Sequence, residues 1–124
     1  MTLALNFLGF STTGSYKPVD VKTTTYTIVA GGIFVTDNSS NVTYTLPASA
    51  RFGTSFCIVG KSGQWKIAQN ANQQILLGSQ STTVGTTGSL SSTNSGDCVE
   101  LICTTAGSST VWRVRNCIGS LTVV

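Results

Sequence analysis

The residues able to carry out chemistry in this chain are few, and histidine is not among them. Without an imidazole, a Ser-His-Asp triad, a histidine general base and a histidine-ligated metal are all excluded. What remains is four carboxylates and four thiols. Hydrolysis of a glycosidic bond needs two carboxyl groups flanking that bond. Asp97 and Glu100 are the nearest acidic pair, but their odd offset at the start of an extended run turns them to opposite faces. Asp20 and Asp37 lie in polar connectors, where aspartate commonly caps turns. A cysteine nucleophile needs a neighbouring base, and the sequence around Cys57, Cys98, Cys103 and Cys117 supplies none. No Cys-x-x-Cys spacing occurs, so a zinc site would require four dispersed thiolates. Cys98 and Cys103 sit an odd number of residues apart in one run, facing opposite ways, and are poorly placed to bridge each other. Burial as small hydrophobes and one or two disulfides both stay open for the four thiols. The expectation is a protein that is not an enzyme, with no catalytic residues, no metal and no cofactor. A glycan-active site assembled from acids of different chains is the remote alternative.

Binding asks less of a sequence than catalysis does. A carbohydrate site uses an aromatic platform and a few fixed polar groups. Tyr16, Tyr26, Tyr44, Trp65 and Trp112 are the possible platforms. Trp65 alternates with Ile67 and Trp112 with Val114, which is the pattern of a core face. The expected ligand-binding set is therefore Tyr44 with the polar tips Asn38, Lys61, Gln64 and Asn72, and the solvent-facing Arg113 and Arg115. Asn38 and Asn41 each begin an Asn-x-Ser/Thr triplet, a match expected by chance in a chain so rich in these residues.

The scaffold that must position these groups is small. At 124 residues there is room for one hydrophobic core. Hydrophobic residues make up 40% of the chain and charged ones only 9%, against about 25% in ordinary domains, so hydroxyls, amides and glycine must build the polar surface. The net charge of +3 is scattered, with Arg113 and Arg115 the one close basic pair. A nucleic-acid binder would show a clustered stripe, so nucleic acid is not an expected partner. Weak attraction for anionic glycans is compatible with the same charge. Residues 1–10 are apolar, yet they are interrupted by Asn6, lack a basic flank and are too short to span a bilayer. Membrane insertion is not expected, and such a segment should dock on its own domain or on a neighbouring subunit.

Beyond that arm, β-branched and alternating runs dominate. They predict strands at 24–30, 33–36, 42–46, 55–59, 64–68, 73–77, 98–104, 110–115 and 120–123, separated by Gly, Asn, Asp and Pro turn signals. No window carries a helical stripe. The pattern predicts an all-β fold, a compact antiparallel β-sandwich or an interleaved β-prism, with an arm and connector at 1–23 and a β domain at 24–124. The last long runs should form an antiparallel hairpin, with Glu100 near Arg113 or Arg115. Residues 78–96 are almost all Ser, Thr, Gly, Asn and Gln, with Val84 and Leu90 the only large apolar ones. A featureless loop this long is uncommon in a compact domain. Hidden short strands that pair with another chain through Val84 and Leu90 are the expectation.

The order of several motifs resembles a known family. These are the run YTLPASARFGTSFCIVG from Tyr44, a Trp65-x-Ile67-x-Gln69 strand followed by Asn70-x-x-Gln73-x-Ile75, and Thr82-Thr83-x-Gly85-x-x-Gly88. Gly96-Asp97-x-Val99-x-Leu101, the late Trp112 and the terminal Gly119-x-Leu121-x-Val123 follow. Residues 24–124 thus resemble the C-terminal head domains of phage tail fibres and related trimeric, collagen-like or fibre-like bacterial surface proteins. The first twenty residues look like neither a collagen repeat nor a fibre shaft. The resemblance implies an intertwined homotrimer on a virion or cell surface that adheres to a cell-surface receptor, often a glycan. A purely structural module that nucleates or caps a trimeric assembly is the alternative. Incomplete strand edges and an apolar arm are consistent with self-association.

Overall fold

Alternation along each run decides which side chains meet the core, and the computed structural model, which describes residues 19–29 and 31–124, shows the outcome. The apolar segment 1–10 lies outside the described residues. Twelve strands occur among those that are described: β1 (Val19–Lys22), β2 (Tyr26–Thr27), β3 (Ile33–Thr36), β4 (Val42–Thr45), β5 (Ser55–Gly60), β6 (Trp65–Ala68), β7 (Gln74–Leu77), β8 (Gln80–Ser81), β9 (Ser89–Ser91), β10 (Cys98–Thr105), β11 (Val111–Ile118) and β12 (Thr122–Val123). They form a seven-stranded sheet in the order β1-β3-β5-β10-β11-β7-β8 and a five-stranded sheet in the order β12-β9-β6-β4-β2. The fold is all-β, a sandwich of two mixed sheets.

The sheets are not purely antiparallel, which corrects the expectation. Strands β1, β3 and β5 run parallel in one sheet, and β2, β4 and β6 run parallel in the other. The physical reason lies in the connectors. Turn signals such as Asp37–Ser40 or Pro47-Ala48 do not fold a strand back on its neighbour; they carry the chain across from one sheet to the other. Each pair of strands thereby completes one turn of a coil, and the next pair stacks beside it in the same direction. The β10–β11 hairpin is antiparallel, as is β9 with both β6 and β12, whereas β7 runs parallel to β11. Val19–Lys22, assigned by sequence to the connector, is the edge strand beside β3.

Inner faces interlock in one core. Phe34, Phe56, Ile58, Ile75, Val99, Leu101, Cys103 and Trp112 come from the larger sheet, and Val42, Tyr44, Trp65, Ile67 and Leu90 from the smaller, all buried. Phe56 and Trp112 meet edge to face at 5.3 Å, a favoured aromatic geometry. Both indoles satisfy their single donor: Trp65 Nε1 donates to the Asp97 carbonyl and Trp112 Nε1 to Thr110 Oγ1, each at 2.9 Å. Both tryptophans are core residues, as their alternation predicts. Burial pushes the Cys103 thiol above its ordinary pKa, and with Sγ donating to the Thr105 carbonyl it stays a neutral thiol. It behaves as a small hydrophobe. Cys98 faces away from this core, so the expected opposition of Cys98 and Cys103 holds.

Residues 78–96 do contain hidden strands, β8 and β9. Within the chain β8 pairs with β7, and β9 pairs with both β6 and β12, so the two edges of β9 are filled by its own chain. Leu90 is fully buried, whereas Val84 is 56% exposed, so only Leu90 anchors the segment. A buried amide network holds the rest of it. The Gln69 side chain donates to the carbonyls of Gln73, Thr83 and Gly85, and its oxygen accepts from the Thr82 hydroxyl. A polar stretch becomes ordered because its backbone carbonyls find an internal donor.

Candidate functional site

Strand directions give the sandwich two ends. At the first lie connectors 37–41, 61–64, 92–97 and 119–121; at the opposite end lie 46–54, 69–73, 82–88 and 106–110. The seven residues expected to bind ligand do not converge on one of them.

Tyr44 is the clearest correction. It is completely buried, and its hydroxyl is 2.9 Å from that of Thr36. Thr36 ends β3 in one sheet and Tyr44 lies in β4 of the other, so the phenol bridges the two sheets and offers no platform to solvent. Desolvation raises its pKa, only partly offset by the Thr36 hydrogen bond. Asn72 stands at the opposite end in a left-handed conformation with φ of 66°, a turn role suited to asparagine. Arg113 lies on the outer face of the larger sheet, level with Ile102. A register shift after Glu100 leaves Arg115 as the extra residue of a bulge and sets Glu100 opposite Asn116. Asn116 Nδ2 donates to Glu100 Oε1 at 3.4 Å. The expected hairpin is therefore present, with Glu100 paired in register with Asn116.

Asn38, Lys61 and Gln64 do come together, at the first end. Asn38 Nδ2 donates to the Thr23 carbonyl and Gln64 Nε2 to that of Thr93. Asp37 accepts from the Ser62 hydroxyl at 2.6 Å and from Lys61 Nζ at 3.2 Å. The Ser62 hydrogen bond and then Lys61 hold its carboxyl below the usual carboxylate pKa. Nearby, buried Asp97 is desolvated, which pushes its pKa up. The backbone N–H groups of Asn94 and Thr93 and the Thr93 hydroxyl outweigh that and lower it overall. A general acid needs the reverse shift, so these contacts favour a loop-fixing role for Asp97. The polar groups of this end are mostly spent on one another.

The opposite end holds an arrangement that sequence reading missed. An open groove of about 540 Å³ is lined there by Val29, Pro47, Ser49, Arg51, Thr54 and Gly107, among others. Arg51-Phe52-Gly53-Thr54 is a tight turn closed by Thr54 N–H to the Arg51 carbonyl at 3.1 Å. Gly53 has φ of +89°, a conformation that disfavours any side chain. The turn is tied down on both flanks. Ala50 and Gly107 exchange backbone hydrogen bonds, Gly53 N–H reaches the Cys103 carbonyl, and Cys103 N–H reaches that of Thr54. On this rigid turn Phe52 is 76% exposed, as is Val29 on the neighbouring connector. The available signal was the adjacent Arg51 and Phe52 just before a glycine in an otherwise charge-poor stretch.

A second surface lies on the outer face of the larger sheet. Val21, Val35, Val59, Cys98 and Ile118 occupy one register row across five strands. Ile33, Cys57, Glu100 and Asn116 form the row beside it. Val21 and Ile118 are 58% and 67% exposed. A shallow hollow of about 180 Å³ opens here between Cys57, Cys98, Glu100, Asn116 and Ile118. Among the described residues, no group of three His, Cys, Asp or Glu side chains is arranged to hold a metal ion.

No protein-family model matches the chain, and no curated protein is significantly similar to it. The likeness to fibre heads therefore rests on the residue pattern.

Proposed function

We propose that this chain is the non-enzymatic head of a homotrimeric fibre, displayed on a virion or cell surface, that adheres to a cell-surface glycan. The observation that carries the reading is the apolar row Val21–Val35–Val59–Cys98–Ile118 on the outward side of a sheet. An outer sheet face normally alternates to polar residues. An apolar row on the outward side of a sheet, exposed at Val21 and Ile118 and half-buried at Val35, Val59 and Cys98, suits a surface that another chain covers, and a closed ring of identical subunits covers it without leaving an edge. The motif order supplies the choice of three copies and the adhesive role.

Light scattering during size-exclusion chromatography of the full chain tests this directly. The expected mass is about three chains, and Ile118→Glu, which places a charge on the row, is expected to yield folded monomers. A monomeric parent chain overturns the reading. A trimer that binds no receptor would leave the structural capping module in its place.

A further inference from the structure

The end bearing the groove presents an exposed cation and an exposed aromatic ring that the described contacts do not use. At the groove end, Arg51 is exposed, and among the described residues no carboxylate forms an ion pair with it; the two ion pairs are Lys22–Asp20 and Lys61–Asp37. Beside it stands Phe52, 76% exposed on a turn whose backbone is fixed at both flanks. A large aromatic ring held in water on a rigid support contributes nothing to the core, yet it is preorganised to receive a flat apolar surface. The groove volume of about 540 Å³ falls within the ~300–1,000 Å³ typical of small-ligand sites. Hydroxyl-bearing Ser49 and Thr54 line it.

We infer that this groove is the receptor subsite and that its ligand is an acidic sugar. The inference rests on the proposed role as a glycan-binding head and assigns that role a site and a chemistry. Each group has a matching part of the ligand. The planar guanidinium of Arg51 takes two oxygens of a carboxylate or phosphate at once. Phe52, outside the groove lining but next to Arg51 on the same turn, offers its ring to the C–H face of an adjoining pyranose, and Ser49 and Thr54 in the groove exchange hydrogen bonds with ring hydroxyls. The net charge of +3 draws an anion toward the surface. Val29 and Pro47 supply an apolar side to the groove beside the charged group.

The test is titration of the full chain with 3′-sialyllactose, mannose 6-phosphate and lactose, followed by calorimetry and by amide chemical shifts. An acidic probe is expected to bind at least tenfold tighter than lactose, and which of the two is preferred distinguishes carboxylate from phosphate. Amide shifts are expected at Arg51, Gly53 and Gly107. Arg51→Gln is expected to weaken the acidic probe by about tenfold or more, and Arg51→Lys by less. Phe52→Ala is expected to weaken every sugar that binds. Lys66→Ala removes the same charge from a strand elsewhere and is expected to change affinity less than twofold. If a neutral sugar binds as well as the acidic ones, or Arg51→Gln leaves affinity intact in a folded protein, this assignment is overturned while the glycan-binding head stands. If a trimeric chain binds none of these probes and no glycan on a broad array, both fall together.

Discussion

The two ends of the sandwich are built from similar residues and use them in opposite ways. At the end formed by connectors 37–41, 61–64, 92–97 and 119–121, side chains answer one another: Ser62 and Lys61 bond Asp37, Gln64 bonds the Thr93 carbonyl, and Asp97 collects three donors from Thr93 and Asn94. At the groove end the backbone is equally well tied, by Ala50 with Gly107 and by Gly53 and Thr54 with Cys103, but the side chains Arg51 and Phe52 point to no internal duty. Rigid main chain with unspent side chains is what a binding surface requires; rigid main chain with spent side chains is what a closure requires. An exposed polar cluster is thus weaker evidence for a site than an exposed aromatic on a fixed turn.

If the first end is a closure, its packing should tolerate little change. Gly63 is buried, and a Cβ there would overlap the Asn38 carbonyl and come within 3.0 Å of that of Ser40. Gly63→Ala is expected to destabilise the fold by about 3 kcal/mol, the upper part of the overpacking range. Gly96→Ala, in the same set of connectors with nothing within 4 Å, should stay within about 0.5 kcal/mol. Urea denaturation of the pair measures the difference, and equal stabilities would mean that this end is looser than its hydrogen bonds suggest.

Asp97 should come next in size. Asp97→Asn keeps the shape but turns an amide toward the donors of Thr93 and Asn94, and is expected to cost about 2 kcal/mol at neutral pH. The pH dependence follows from the lowered pKa. Because the folded value lies below the ordinary 3.8, the unfolded chain takes up the proton first as the solution is acidified. The stabilisation is complete above 3.8 and is lost as pH falls through the folded value. The parent chain and Asp97→Asn should therefore converge in stability once the pH has fallen below the folded value. A constant gap across that window would assign the cost to geometry instead of charge.

What could be read in advance follows from how far apart the interacting residues lie. Period-two alternation placed Trp65 with Ile67, and Trp112 with Val114, on core faces, because that signal is local. The same alternation runs through Val42, Tyr44 and Leu46, all fully buried, and it makes Tyr44 a core residue where an exposed platform was expected. Its partner Thr36 belongs to the other sheet, and nothing local announces a bond between sheets. Strand direction was hidden for a similar reason. Asp37–Ser40 reads as a hairpin turn whether it reverses the chain within a sheet or carries it across the sandwich. The groove was least legible of all, since Val29, Pro47, Arg51 and Gly107 meet only after the coils have stacked.

The smallest effect separates the partners of Asp37. Its carboxyl is held below 3.8 by the Ser62 hydroxyl first and by Lys61 second. Lys61 and Asp37 form a solvent-exposed pair, their side chains 64% and 32% accessible, and such pairs contribute little to stability. Lys61→Ala is expected to leave Tm within about 2 °C of the parent. In a carboxyl NMR titration, the Asp37 pKa should rise in both variants, and further in Ser62→Ala than in Lys61→Ala. The reverse order would make the ion pair dominant and salt-sensitive, so that raising ionic strength alone would reproduce the Lys61→Ala shift. The expected order instead leaves the Ser62 hydrogen bond as the main tie between connectors 37–41 and 61–64. That tie depends on geometry more than on charge, which is what distinguishes this end from the uncompensated Arg51 of the other.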